Sequence, residues 1–353
     1  MKSSFISSSA IQNAMRLTIR QSQNQMIKAS QEATTGRYAD IGISLGGHAA
    51  KSVDFSREVS RIDAIVKSNS VVSQRLESSQ VALSAMGKAG QEMLDQLIAL
   101  RGNDDSSSVQ LANQTATSAL ATLMSYGNTM VNGEYLFAGI NTDVQPLTDK
   151  TSDFTTEINA RLTAYMAAQT PPVATKADLT GDQMTDFIET EVEPMFTDDS
   201  QPAPFNWASW SSASSQNMTS RISNSEVIES STNTNSEGMR YFALASVVTT
   251  ALMGQGLPTG ALNAVNDKAI SYTRQAIDGL TDQQSQLGLS EERVTKANDA
   301  LDAQKDIIQN KIVDLEGVDQ YEASTLVNTL ETQLETAYTI VAKIQQLSLV
   351  NYL

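Results

Sequence analysis

FSREVSRIDAIVKSNSVVSQRLESSQVALSAMGKAGQEMLDQLIAL, residues 55–100, is the stretch that decides the fold. Read in sevens, Ile62, Asn69, Leu76, Leu83, Gly90 and Leu97 form one row, and Ile65, Val72, Ser79, Met86, Met93 and Leu100 form a second, three residues later. Most members of both rows are apolar or small. About six heptads of such a and d positions predict a long helix packed along a partner helix. The run holds no proline, and its two glycines, Gly87 and Gly90, mark a close contact or a bend. At about 1.5 Å per residue the helix would be a rod of roughly 70 Å. Elongated, self-assembling structural proteins need such a rod, and few globular enzymes do.

Working outward, Leu280, Leu287, Val294, Leu301, Ile308 and Leu315 also fall seven apart and predict a second rod, the natural partner of the first. Both ends of the chain are helical. On the N-terminal side Met15, Ile19, Met26, Ala29 and Ala33 share one face, backed by Ser, Gln, Asn and Thr. On the C-terminal side Val327, Leu330, Leu334, Ala337, Val341 and Ile344 share one face, before the apolar ending LSLVNYL. A narrow apolar stripe buries little by itself, so each terminal helix needs a partner, either the far end of its own chain or a neighbouring subunit. The apolar C-terminal helix in particular is expected to be covered by another surface. Met15, Ile19, Met26, Leu334, Val341 and Ile344 are the candidate assembly residues.

Between the arms the pattern breaks several times. TTGRYADIGISLGG (34–47) reads as a loop or short hairpin, with the first rod starting near Asp54. RGNDDSSS (101–108) ends that rod, and Ser107 with Gln110 offers a capping box for a helix carrying Leu111, Ala119, Leu123, Tyr126 and Met130 and stopping near Gly133. GEYLFAGINTD (133–143) follows as a short extended segment. Six of the seven prolines then lie between Pro146 and Pro204, followed by Trp207 and Trp210. The interval from Asp143 to Asp199 holds 12 acidic and 3 basic residues, −9 of the net −16. Short strands, turns and a helix at 181–193 are expected there. MRYFALASVVTTALM (239–253) restores the helical pattern.

The predicted class is therefore mainly α: an elongated antiparallel helical bundle or coiled coil built from both termini, with a small mixed α/β or β-rich insertion. Its segments are an N-terminal assembly arm and loop (1–50), the N-terminal part of the rod bundle (51–140), a variable acidic outer domain (141–220), the C-terminal part of the rod bundle (221–316) and a C-terminal assembly arm (317–353).

Composition excludes several chemistries. A net charge of −16 argues against nucleic acid and anionic membranes as partners, since tracking phosphates needs a basic stripe. With no cysteine there is no disulfide and no thiolate catalysis or metal site. The N-terminus has no apolar core of a cleaved signal peptide, and no run of about 20 apolar residues predicts a membrane span. The only histidine, His48 in GGHAA, lacks a nearby carboxylate or nucleophile pattern and reads as a loop or packing residue. GISLGG and GQGLPTG match no nucleotide-binding loop. FIETEVEPMFTDD (187–199) lacks the spacing of a calcium loop and reads as a solvated acidic face. Trp207 and Trp210 read as core of a small domain. No enzyme, metal or cofactor is expected.

Three strings carry a resemblance: ATTGRY at the end of the first helix, GEYLFAG (Gly133, Glu134, Tyr135, Leu136, Phe137, Ala138, Gly139), and AKIQQLSLVNYL at the end of the last. Together they resemble the bacterial flagellin superfamily, and within it the flagellin-like hook–filament junction proteins, which carry G-x-Y-L-F-[AS]-G at this place. The likeness covers roughly residues 1–143 and 225–353; it departs after TGRY, where the family's acidic pair and proline are missing. The resemblance implies a non-enzymatic structural protein of the flagellum, needed for filament assembly and motility. It implies a ring of copies of itself between hook and filament, in contact with a second junction protein and with flagellin. It also implies type III export without a cleaved signal peptide, helped by a cytoplasmic chaperone, to an extracellular location. The competing readings are flagellin itself, an enzyme in the middle segment, and a type III needle-tip or translocator protein.

Overall fold

The first predicted heptad row, Ile62, Asn69, Leu76, Leu83, Gly90 and Leu97, is buried throughout; in the second, Ser79, Met86, Met93 and Leu100 are buried and Ile65 and Val72 half-buried. The computed structural model describes residues 8–102 and 105–350. The start of the chain, two residues of the RGNDDSSS cluster and the last three of LSLVNYL lie outside the described residues. In chain order the elements are α1 (Ser8–Thr35), α2 (Ile41–Leu45), α3 (Ala49–Leu100), α4 (Ser106–Gly127), β1 (Met130–Val131), β2 (Glu134–Tyr135), α5 (Thr151–Ala168), α6 (Gly181–Phe187), α7 (Pro194–Thr197), α8 (Trp207–Trp210), β3 (Thr219–Arg221), β4 (Val227–Glu229), α9 (Glu237–Leu252), α10 (Thr259–Glu316) and α11 (Gln320–Val350). The fold is mainly α, and both described sheets are two-stranded antiparallel hairpins. No described helix is long and apolar enough to cross a membrane.

Several boundaries differ from the sequence reading. α3 starts at Ala49 rather than near Asp54, directly after a 3₁₀ turn over Gly46–His48. The cap of α4 is Asp105, whose carboxylate accepts from Ser107 N and Ser108 N; the Ser107–Gln110 box is not used. A carboxylate at the N-cap serves two orphan amides at once and adds a favourable charge at the helix N-terminus. α4 stops at Gly127, and Met130 belongs to a strand. At α6 the Thr180–Gln183 pair does form a reciprocal box, and the helix runs on through a π turn over Ile188–Val192.

The chain divides into two compact units. The smaller comprises residues up to 64 and from 300 onward. In it α1 packs against α11, and the starting turns of α3 lie beside the last turns of α10. Lys305 Nζ lies 2.6 Å from an Asp63 carboxylate oxygen, and Gln304 Nε2 donates to Glu58 at 3.3 Å.

The larger unit spans 65–299. Here too α3 and α10 are antiparallel partners: Asn69 Nδ2 donates to Asn298 Oδ1 (2.7 Å), Gln80 Nε2 to Gln284 O (2.7 Å) and Asn266 Nδ2 to Leu97 O (3.0 Å). Gly90 is the predicted close contact, since a Cβ there would sit 3.2 Å from both Ile277 and Phe242. Gly87 faces open space. Almost every side chain of α9 is buried, and α4, α5 and α7 pack around it.

The acidic segment belongs to this same core. Phe154, Ile158 and Leu162 of α5, with Phe187, Trp207 and Trp210, join one continuous apolar cluster with Leu83, Met86 and Leu97. No strand is described between 141 and 218, and its regular structure is helical. The missed signal is Phe154, Ile158, Leu162 and Met166, four apart along one helix face.

Two outcomes follow from this packing. Gly238 and Gly279 let α9 and α10 cross at backbone contact, and a Cβ at Gly279 would lie 2.6 Å from Gly238 Cα. Gly279→Ala should destabilise the larger unit by roughly 1–3 kcal/mol, read as a lower urea midpoint. Secondly, burial, followed by the hydrogen bond to Glu193, raises the pKa of Tyr272 above its ordinary value of 10.0, and burial with the Asp186 hydrogen bond pushes Tyr165 up to about 12. Both phenols are held neutral in the folded state while the unfolded chain ionises. Their contribution is complete below pH 10 and is lost as pH rises above it. The melting temperature should fall above pH 10, with a shallower fall in Tyr272→Phe.

Candidate functional site

The strings singled out in the sequence fold into a hairpin latch and an elbow. In the latch, Asn132 and Gly133 both have positive φ, 54° and 87°, the mirror-image turn that closes a two-residue hairpin. Val131 then pairs with Glu134 and Met130 with Tyr135. The Asn-Gly pair was the available signal for this hairpin, and the sequence reading passed over it. From α3, Arg75 reaches the hairpin with both ends of its guanidinium: Nη1 lies 2.7 Å from Glu134 Oε2 and Nη2 donates to Tyr135 O at 2.7 Å. Arg75 is buried, and desolvation lowers its pKa against the opposing pull of Glu134.

The remainder of the motif is packed rather than displayed. Leu136, Phe137 and Ala138 are fully buried. Phe137 O accepts from Thr234 N (2.9 Å), and Ala138 O from Ser214 N (3.0 Å). Gly139 has φ +61°, and a Cβ there would strike Ser214 O at 2.3 Å and Gln216 O at 2.6 Å. GEYLFAG therefore ties α3 to the segments 214–216 and 233–234, and its Leu136 and Phe137 side chains are accounted for by packing.

The elbow is built on ATTGRY. Gly36 (φ +68°) turns the chain out of α1, its carbonyl accepting from Val318 N at 2.9 Å. Tyr38 N donates to Glu316 O at 3.0 Å. The buried Glu316 carboxylate takes Ser52 Oγ on one oxygen and Arg37 Nη1, at 3.4 Å, on the other. Beyond this elbow α1 and α11 run antiparallel, with Gln23 Nε2 donating to Tyr338 OH at 2.8 Å. Leu334 is buried, and Met15, Ile19, Met26, Val341 and Ile344 are half-buried along the faces that the heptad reading picked. Of the two partners open to each terminal helix, the structure supplies the far end of the same chain. The exposed apolar residues of this pair are others, among them Leu17 (59%), Ile27 (63%) and Tyr338 (50%).

The acidic stretch is dispersed into separate pairs. Glu189 meets Lys268, Glu191 lies 3.7 Å from Arg161, Glu193 accepts from Tyr272 OH at 2.6 Å, and Asp199 lies 2.6 Å from Arg240. The Ser200 hydroxyl, and after it the Ser200 N–H that Asp198 accepts from, hold the pKa of Asp198 down. Among the described residues no three His, Cys, Asp or Glu side chains converge on a metal position. Trp207 and Trp210 stack in the core with centroids 6.4 Å apart, and Trp207 Nε1 donates to Asn235. His48 is exposed.

Residues 6–142 match the bacterial flagellin N-terminal helical region, and residues 270–353 match the bacterial flagellin C-terminal helical region. Together these matches span more than half of the chain, and the protein belongs to the bacterial flagellin superfamily of flagellar structural proteins. A solved structure with a similar fold is described as that of a flagellar hook-associated protein from Vibrio parahaemolyticus. It is 11% identical, with a TM-score of 0.52 over 76% of this chain and 97% of that one. No curated protein matches the chain.

Arg75→Ala removes the bond to Tyr135 O and opens a void beside a short hairpin. A stability loss of about 1–3 kcal/mol is expected in urea unfolding. Arg75→Lys, with a single ammonium in place of a two-ended fork, should recover only part of it.

Proposed function

We propose that this protein is an adapter subunit at the hook–filament junction, of the kind called hook-associated protein 3. The observation that carries the reading is GEYLFAG, the string that resembles junction proteins and not flagellins in general. The solved neighbour described as hook-associated agrees in name and in fold. The adapter assembles as a ring of copies of itself and bridges a second junction protein to flagellin. It leaves the cell by type III export, with a cytoplasmic chaperone shielding α11 beforehand. Its role is mechanical, without catalysis or cofactor.

Assembly depends on the paired terminal helices. A two-helix pair with a seam of half-buried residues is weak alone and gains order when neighbours cover its remaining apolar surface. Met15, Ile19, Met26, Leu334, Val341 and Ile344 hold the pair together, and Leu17, Ile27 and Tyr338 offer apolar surface to the neighbours. The second reading is flagellin, which shares the terminal helices and builds long filaments by itself.

Deletion of residues 334–353, or Val341→Asp or Ile344→Asp, should leave the larger unit folded by circular dichroism and abolish incorporation. Cells carrying such a variant as their sole copy should show hooks without filaments by electron microscopy, with free flagellin in the medium. Normal filaments would remove the terminal pair from the assembly mechanism. In a full gene deletion, continued flagellin secretion supports the adapter, whereas disappearance of the main filament subunit supports flagellin.

A further inference from the structure

We propose that Asn132–Gly133, at the tip of the β1–β2 hairpin, is a site of spontaneous deamidation whose isoaspartate product releases the Arg75 latch. This inference stands independently of the junction role. Asn132–Gly133 is the sole Asn-Gly step in the chain. Glycine has no Cβ to obstruct attack by its own amide nitrogen on the preceding side chain. Both residues are exposed, and nothing lies within 4 Å of the position a Cβ would take at Gly133. The Asn132 amide has one protein partner, Gln74 Oε1, at a long 3.3 Å. The ladder closing the turn consists of only two residue pairs, Val131–Glu134 and Met130–Tyr135, so local opening is inexpensive.

The chemistry needs only water. Gly133 N bonds to Asn132 Cγ, its amide proton passes to solvent, and the side-chain nitrogen leaves as ammonia, giving a five-membered imide. Water then adds to one imide carbonyl. Opening at Cγ restores an ordinary backbone with aspartate at 132. Opening at the backbone carbonyl routes the chain through the former side chain and inserts one extra methylene. Either product adds a negative charge two residues from Glu134. The second also lengthens a turn whose two positive φ angles set the hairpin register. Glu134 and Tyr135 O then move off Arg75, a buried cation that already has one unpaired Nε.

The test is to hold the full-length protein at mildly alkaline pH and 37 °C, then map peptides by mass spectrometry with isoaspartate-specific methyl labelling. A guanidine-unfolded sample sets the intrinsic rates. Conversion at Asn132 in the folded protein should outpace conversion at Asn224 and Asn235, both of which precede serine. In the converted fraction, amide hydrogen exchange at Tyr135 and Leu136 should rise several-fold. Asn132→Asp, with the charge but not the methylene, should leave that exchange near the native rate. The proposal is overturned if Asn132 stays intact in the folded protein while Asn224 or Asn235 converts, or if converted protein exchanges Tyr135 and Leu136 as slowly as the native form.

Discussion

Within each compact unit the first part of the chain lies antiparallel to the last, and the remainder of the structure depends on that pairing being in one register. Apolar heptads alone do not supply a single register, because a seam of Leu, Met and Ala tolerates a slip of one heptad with little penalty. The polar members of the rows do. Asn69, Ser79, Asn266, Thr273, Gln283 and Ser290 are buried within the larger unit. Asn69 Nδ2 spans to both Asn298 Oδ1 and Ile222 O, and Asn266 Nδ2 seeks the carbonyl of Leu97. Slipping either helix by one turn leaves these amides unpaired in the core, at about 1–3 kcal/mol each. Even in register, Asn69 Oδ1, Asn266 Oδ1 and Gln283 Oε1 have no protein partner. Some stability is given up for specificity, as with a buried Asn at an a position of a coiled coil.

The sequence separation of these contacts sets how the chain reaches that register. Asn69 and Asn298 are 229 residues apart, and Gln80 and Gln284 are 204 apart. Loops of that length close slowly, even though their entropic cost grows only logarithmically. The intervening residues shorten the problem by folding among themselves. α5, α7 and α4 pack on α9, and α9 in turn presents Phe242 to Gly90 of α3. The middle of the chain is thus the scaffold on which the two rods meet. The smaller unit has no such scaffold. Its α1 and α11 form a two-helix pair, pinned at one end where Glu316 gathers Arg37 and Ser52. Loss of Arg37 would leave this buried carboxylate without its counter-charge, and loss of Ser52 would leave it short of a hydrogen bond.

Periodic elements were legible in the sequence because burial on one face of a long helix repeats the same instruction many times. Both rods and the α11 row Val327–Leu330–Leu334–Ala337–Val341–Ile344 have this property. The single-use instructions were harder to read. The cap of α4 went to Asp105 because a carboxylate reaches two amides where the Ser107 hydroxyl serves one. The β1–β2 hairpin hung on one Asn-Gly step. The acidic middle was obscured because its carboxylates meet residues far away in sequence: Glu189 pairs with Lys268 and Asp199 with Arg240, and Glu193 accepts a hydrogen bond from the neutral Tyr272 phenol. Read locally, those charges suggest a solvated face; in three dimensions they are the rim of a core that holds Phe154, Phe187, Trp207 and Trp210.

The same contrast bears on what the family strings do. Residues that mark a family are easily taken for contact residues, yet Leu136, Phe137 and Ala138 are fully buried and the Gly139 site is closed by two carbonyls. Glu134 and Tyr135 O are occupied by Arg75, and Gly36 and Arg37 by the elbow. These motifs position helices relative to one another within each unit. In a protein whose longest elements are paired helices, the family motifs thus serve the packing of each unit. Leu17, Ile27 and Tyr338 lie exposed on the two helices that pack together as the terminal pair of the smaller unit. The division of labour is consistent with the polar layers of the rods. Interior residues fix one geometry, and exposed apolar residues are then held at a defined spacing along a stiff helix.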